Sequence, residues 1–530
     1  MRVGTTFLRE KYKVIEVDTT NVKEIMDNIQ TKIHREAKEA MEAPIMMGEL
    51  ETAVRMGKSN KTPGSDGINT EFFKIMWNTI KSDLLCIINE IFVEGMITDG
   101  QKKGLMLCVP KRSDPRGLQD YRTLTLLNAD YKLLTRLIAN RMQPWLTTAL
   151  YQNQYCGTRG RTMLDAVATV RDAIANAQYT KSPLCVVTLD FTAAFDNISH
   201  DYLFAILKGY GFSDQMQQRI RQLYENTTSA VKINGHISQQ IPIKCSIRQG
   251  CPLSMQLYAL CLDPLLKELE TIMTGCRIGR TQVTNTVIAY ADDVTLLVKD
   301  PQDIPKIKEA IQKYETASGA RINYAKSQAM AIGNWKTETE LLNIPYVSQV
   351  KILGIHFTPS IQQTIHKNWA IKTNRIRGMA KAAYYREICL DKRISYVHAY
   401  ILATAWYIAQ ILPLPTNCVR QINMAITWYI WRGEIFRVPL STLQLPKKEG
   451  GWGLIDIEAK CKTLCVCRMR ATRNDRGEIT AEWLQKWVLT RQEENPPYVN
   501  RIPEQLEYLR IYALDSAYVH AREEAETERV

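Results

Sequence analysis

The chain has 530 residues, with 68 Lys and Arg against 55 Asp and Glu, a formal net charge of +13. That length allows several domains with buried cores, and the basic excess suits a polyanionic partner. The 13 cysteines are scattered, mostly in apolar runs such as Leu84-Leu-Cys86 and Leu260-Cys-Leu262, which argues for reduced, core-filling thiols in an intracellular protein and against a disulfide framework.

The opening residues Met1-Arg-Val-Gly-Thr-Thr-Phe-Leu8 lack the apolar core of a secretory signal, because charge resumes at Arg9. Residues 1–45 read as a charged helical extension, in which Asn21-Val-Lys-Glu24 has the shape of an N-cap with an acidic third residue. A helical pattern resumes over 48–55, and Lys61-Thr-Pro-Gly-Ser-Asp-Gly67 breaks it into turns. From 68 to about 180, helical stretches alternate with short strands; 131–142 and 163–177 carry apolar residues at helical spacing. Leu184-Cys-Val-Val-Thr-Leu189 is a continuous apolar strand candidate that ends on Asp190, and Phe191-Thr-Ala-Ala-Phe-Asp196 then turns into a helix-like segment. Strands interleaved with helices over 184–357 indicate an α+β unit.

Within it, Thr286-Val-Ile-Ala-Tyr-Ala-Asp-Asp-Val-Thr-Leu-Leu-Val298 places Asp292 and Asp293 side by side in a β-like run. Two adjacent charges inside a buried strand are very costly unless paired or bound to metal. A tight hairpin with both carboxylates at its turn is the cheapest arrangement, and a mostly antiparallel sheet with that hairpin at its centre follows. Together with Asp190 these groups offer oxygen ligands for two hard cations, Mg²⁺ or Mn²⁺.

Beyond 357 the texture becomes helical and aromatic as far as Trp428-Tyr-Ile-Trp-Arg432, with Lys372, Arg375, Arg377 and Lys381 forming a basic face for a duplex backbone. The stretch 394–412 is long and apolar enough to imitate a membrane span, but His398, Gln410 and the preceding Asp391-Lys-Arg393 favour a buried helix. Leu445-Pro-Lys-Lys-Glu-Gly-Gly-Trp-Gly453 is Gly-rich but lacks the Gly-Lys-Ser/Thr ending of a phosphate-binding loop. Cys461, Cys465 and Cys467 read as one side of an amphipathic helix, since no histidine or fourth cysteine follows at zinc-site spacing. After about 470 the chain is polar, and its last turn is expected to fray.

Tyr290-Ala-Asp-Asp293 and Leu189-Asp-Phe-Thr-Ala-Ala-Phe-Asp196 resemble the two catalytic boxes of reverse transcriptases, and Ser246-Ile-Arg-Gln-Gly-Cys-Pro-Leu-Ser254 resembles the box beneath the incoming nucleotide. The resemblance narrows to LINE-type (non-LTR) retrotransposon polymerases through Thr62-Pro-Gly-Ser-Asp-Gly-Ile68, Val109-Pro-Lys with Asp120-Tyr-Arg-Thr-Leu-Thr-Leu-Leu-Asn128, Ser318-Gly-Ala-Arg-Ile-Asn-Tyr-Ala-Lys-Ser327 and Lys351-Ile-Leu-Gly-Ile355. The segments fall in the family's order and cover roughly 45–470. The resemblance implies a right-hand polymerase: an N-terminal helical extension (1–45), fingers and an antiparallel-sheet palm (46–357), a helical thumb (358–435) and a C-terminal region (436–530).

It also implies roles. Asp190 and Asp292 become direct metal ligands, Asp293 a weaker or outer one, and the Phe191 carbonyl completes the site. Phe195 matches the position that blocks a ribose 2′-hydroxyl, so the product is DNA. Gln249 and Gly250 lie under the incoming base, Lys111 and Arg122 contact the triphosphate, and Lys326 protonates the departing pyrophosphate. The implied partners are an RNA template, a DNA primer or target DNA, dNTPs and the element's own RNA in a ribonucleoprotein, in nucleus and cytoplasm and without a membrane. Thr123 stands where the family usually has Pro, and Ala193 where Lys is common; neither is a metal ligand. Only about 45 residues precede the resemblance, so no endonuclease is expected. The alternative is a decayed or repurposed nucleic-acid-binding protein that keeps the fold without activity.

Overall fold

The computed structural model describes residues 2–95, 97–277, 284–337, 341–433 and 438–473. Helix α1 (Arg2–Lys11) opens the chain and α2 (Thr19–Asp27) follows. Asp18 caps α2, its carboxylate accepting from the Thr20 and Asn21 N–H groups. The expected cap, Asn21, lies inside the first turn, where its amide donates to Asp18 and to Thr316 Oγ1. The carboxylate three residues earlier takes the cap because it serves two free N–H donors at once.

One sheet is built on the antiparallel hairpin of β1 (Lys103–Pro110) and β2 (Tyr121–Leu127); β1 also pairs in parallel with β4 (Thr228–Ile233), which carries β5 (His236–Ile237) and β6 (Ile241–Pro242). The second sheet has the order β11 (Gln328–Ile332), β3 (Leu184–Leu189), β10 (Asp293–Val298), β9 (Val287–Tyr290), and every neighbour is antiparallel. Small ribbons, β7 (Cys276–Arg277) with β8 (Thr284–Asn285) and β12 (Val350–Ile352) with β13 (Ile355–Phe357), complete the strands. The acidic hairpin is not the centre of its sheet: β9 is an edge, and β3 with β10 form the central pair.

The second sheet separates two hydrophobic cores. Cys185, Val187 and Leu189 face one, with Val294 and Leu296; Leu184 and Val186 face the other, with Leu297. Burial on both faces explains why β3 is apolar at every position but Thr188 rather than at alternate ones. The first core is filled by helices Ala129–Ala149, His200–Gly209, Ser254–Ile272 and Ile304–Ser318; the second by Met163–Thr180, Ile361–Ala383 and Thr416–Ile430.

Two local expectations change. Residues 192–197 form turns rather than a helix, with Ala193 at φ +47°, and the helix starts at His200. Phe191 bridges to Ile322, which prolongs the strand and delays the helix. The 394–412 stretch packs one side into the second core, leaves Ser395, Ala399, Tyr400 and Ala403 exposed, and is broken into Leu390–Tyr396, a π-turn Val397–Ile401, a 3₁₀ turn Leu402–Ala405 and Trp406–Ala409. Among the described residues no helix is long and apolar enough to cross a membrane. Cys461 and Cys465 are buried on helix Ile457–Arg473; the side chain of Cys467 and everything after 473, the fraying terminus included, lie outside the described residues.

Candidate active site

Three carboxylates stand where two neighbouring strands end. Leu189 pairs with Val294 across β3 and β10, so one step further the register sets Asp190 opposite Asp293. Asp292 lies in the turn between β9 and β10, which Tyr290 and Asp293 close as a pair. Ala291, the first turn residue, adopts φ +55°, a left-handed conformation that costs an L-residue roughly 1–2 kcal/mol. It is held there from beneath: Gln154 Oε1 accepts from the Ala291 N–H at 3.2 Å and from the Cys156 N–H at 3.1 Å. The Tyr155 N–H donates to the Ala289 carbonyl and the Ala289 N–H to the Asn153 carbonyl, each at 2.9 Å, which laces the same segment to β9. On the other strand, the Asp190 N–H donates to Ser327 Oγ at 3.1 Å, and its carbonyl accepts from the Asn323 N–H at 2.7 Å. The turn that carries Lys326 is thereby bonded directly to Asp190.

Burial pushes the Asp292 carboxyl above the usual carboxylate range; its own amide and the Arg122 guanidinium oppose the rise, and the Asp190 charge adds to it. Asp293 rises for the same first reason and then through Asp292 and Asp190. Among the described residues none of the three is held in an ion pair. Mutually repelling oxygen donors of this kind suit a hard divalent cation. As they stand, no three acidic, imidazole or thiol groups among the described residues are gathered tightly enough to grip one ion, so the fit rests on the chemistry of the donors and their shared place at the strand ends.

Asp190 and Asp292 open into a cleft of about 1670 Å³; Asp293 is not on its lining but faces solvent at the head of β10. Phe191 and Phe195 line it. The Phe191 ring is buried and meets Tyr314 edge-on, whereas Phe195 is half-buried and stacks on Tyr258 with centroids 4.4 Å apart. Stacking on a fully buried tyrosine fixes the Phe195 ring. Gln249 and Gly250 line the floor, on the loop before helix Ser254–Ile272. Gly250 has φ +91°, and a Cβ there would lie 2.8 Å from the Thr125 carbonyl oxygen of β2, so only glycine fits. Lys111 and Arg122 reach the cleft from the β1–β2 hairpin and Lys326 from the turn after Asn323; all three are exposed. Asp120 shapes the hairpin loop by accepting from the Arg112 side chain and from the Arg116 and Gly117 N–H groups. The sequence-predicted residues other than Asp293 therefore share one lining.

Sequence reasoning missed four contributors. Gln154 had no pattern to mark it. Asp196 is buried and accepts from Lys11 Nζ at 2.7 Å, Tyr12 OH at 3.2 Å and Gln249 Nε2 at 3.4 Å; a carboxylate ending a quoted apolar box was its available signal. Lys11 and Tyr12 lie on the opposite end of the sequence and left none.

Residues 109–357 match the family described as Reverse transcriptase (RNA-dependent DNA polymerase). The chain is 30% identical over 436 residues to the transposon TX1 uncharacterized 149 kDa protein of Xenopus laevis, covering 80% of this chain and 33% of that protein. It is 21% identical to the Retrovirus-related Pol polyprotein from type-2 retrotransposable element R2DM of Drosophila melanogaster, over 74% of this chain and 38% of that protein. To the RNA-directed DNA polymerase from mobile element jockey of the same species it is 22% identical, over 78% and 48%. It thus spans a third to just under half of the length of these relatives. Residues 109–357 thus belong to the reverse transcriptases, and over about three quarters or more of its length the chain is similar to proteins of the TX1, R2 and jockey mobile elements.

Proposed function

We propose that the chain is an RNA-directed DNA polymerase that extends a DNA primer on an RNA template with dNTPs. The observation that carries this reading is the meeting of Asp190 with Asp292 and Asp293 at the ends of β3 and β10, in a cleft whose other walls bear Lys111, Arg122 and Lys326. In this reading Asp190 and Asp292 hold two Mg²⁺ ions, with Asp293 as an outer ligand and the Phe191 carbonyl beside them. Mg²⁺, when bound, lowers the pKa of the primer 3′-hydroxyl and neutralises charge on the phosphates.

The protein's own groups do the positioning. Arg122 and Lys111 pair with triphosphate oxygens, Arg122 through its planar fork. Gln249 and Gly250 support the base from beneath. The Phe195 ring, fixed on Tyr258, occupies the space a ribose 2′-hydroxyl needs. Lys326 gives a proton to the departing pyrophosphate as the bond between the α- and β-phosphates breaks. Catalysis of this type is mostly orientation and charge stabilisation. The sheet of β1 and β2 then serves as fingers, the antiparallel sheet as palm and the helices after 357 as thumb, within the boundaries 1–45, 46–357, 358–435 and 436–530.

The test is primer extension by the full chain on an RNA template with a DNA primer and Mg²⁺, given dNTPs or NTPs, beside Asp292→Asn. Extension with dNTPs that disappears in the variant supports the reading. Duplex binding without extension would replace it with a binding protein, and extension with NTPs with an RNA polymerase.

A further inference from the structure

We propose that α1 forms a wall of the nucleotide pocket and that Lys11, its last residue, contacts the phosphates of the incoming nucleotide. The inference deepens the polymerase reading and rests on it. The end of α1 is anchored: Leu8 and Tyr12 are buried with Met106, Val231, Ile241 and Ile243 of the first sheet, and the Tyr12 carbonyl accepts from the Lys244 N–H at 3.0 Å. The anchored end lines the same cleft as Asp190 and Asp292, through Phe7, Lys11 and Lys13.

Lys11 Nζ lies 2.7 Å from Asp196 Oδ2 and 3.5 Å from Thr123 Oγ1. Its side chain keeps 20% of its surface exposed, against 7% for Asp196, so the ammonium is held at the cleft edge by a partner that is itself out of reach of solvent. An ammonium has three donors, and these contacts use two. Lys11 also belongs to a set of cations: after burial, the charges of Lys11, Lys326 and Arg122 hold the Lys111 ammonium below its ordinary range. Like charges gathered on one wall repel one another until a polyanion arrives. Lys111, Arg122 and Lys326 lie within the matched domain; Lys11 reaches the cluster from outside it. Because Asp196 also accepts from Gln249, the same carboxylate ties the helix to the floor of the site.

The test uses the full chain as Lys11→Gln and as Lys11→Gln with Asp196→Asn. If Lys11 contacts phosphate, KM for dNTP rises about tenfold in both, the loss expected of one hydrogen bond to a charged group, while primer–template affinity stays at the wild-type value and shows that the variants fold. If Lys11 only neutralises Asp196, the double variant recovers wild-type KM, and the proposal falls. Weakened primer–template binding at unchanged KM overturns it equally. If the wild-type chain extends no primer, the polymerase reading fails, and calorimetric titration with inorganic tripolyphosphate still decides: affinity reduced in Lys11→Gln supports the phosphate contact, and equal affinity refutes it.

Discussion

Replacing Gln154 by Met keeps the length and apolar stem of the side chain but removes the carbonyl that fixes the acidic hairpin. Gln154 has no exposed surface, so water does not take its place. The N–H groups of Ala291 and Cys156 lose their acceptor, and a buried unsatisfied group costs about 1–3 kcal/mol. Against this, Gln154 Nε2 has no partner, and its removal returns part of the penalty, leaving a net loss of roughly 1–4 kcal/mol. The larger effect falls on chemistry. Ala291 holds φ +55° with its N–H pinned; unpinned, the turn relaxes and carries Asp292 with it. A shift of about 1 Å at a reacting centre costs on the order of 10²-fold in rate. Single-nucleotide extension should therefore show kcat down about 10²-fold with primer–template affinity unchanged, and thermal unfolding should shift down by a few degrees. Adding Ala291→Gly, which accepts positive φ freely, should recover part of the kcat. Wild-type kcat and unfolding in Gln154→Met would refute the reasoning, by showing that the hairpin keeps its shape unaided.

Phe195→Val should reduce the preference for dNTPs over NTPs by about tenfold or more while dNTP extension persists; undiminished rejection of NTPs would leave Phe195 only a packing partner of Tyr258. Gly250→Ala should lose about 2 kcal/mol or more in urea unfolding, from the left-handed backbone and the contact with the Thr125 carbonyl; an unchanged midpoint would show that the loop can move away from β2. His398 Nε2 accepts from the Ile455 N–H at 3.0 Å, and burial lowers its pKa from 6.5. The unfolded chain then binds more protons than the folded one below pH 6.5, so stability is full above that pH and falls as pH drops through it, until the folded pKa is passed. His398→Gln should remove up to about 1.4 kcal/mol per pH unit from that slope, read from unfolding midpoints between neutral and mildly acidic pH; an unaltered slope would mean that His398 does not titrate on unfolding.

The legible parts of this fold were those in which local sequence and tertiary demand coincide. β3 is apolar at every position but Thr188 because it lies between two cores, and Asp190 marks its end. The β9–β10 hairpin is equally plain, since two carboxylates tolerate no other place in so apolar a run. Strand order was not legible: that β11 joins β3, and so displaces the hairpin from the centre, depends on a pairing between distant segments. Nor was the break in 394–412, where no Gly or Pro marks the positions of the π- and 3₁₀-turns. At α2 the cap falls to Asp18 rather than Asn21 because its carboxylate takes two N–H groups at once, while the Asn21 amide turns to Asp18 and to Thr316 on another helix.

The least legible feature is how the cleft keeps opposite charges apart. Exposed lysines and arginines beside three carboxylates would ordinarily collapse into ion pairs, and the carboxylates would then be unavailable to a cation. Here Arg112 is taken by Asp120 and Lys11 by Asp196, while among the described residues Asp190, Asp292 and Asp293 are left unpaired. Asp196 accomplishes this because the turns at 192–197 leave it almost fully buried at the cleft lining, where it holds Lys11 from 185 positions away. A second carboxylate only six positions after Asp190 looks in sequence like a spare ligand. Its place in the fold makes it instead the counter-ion of Lys11, which keeps that ammonium from pairing with Asp190 or Asp292 across the same cleft.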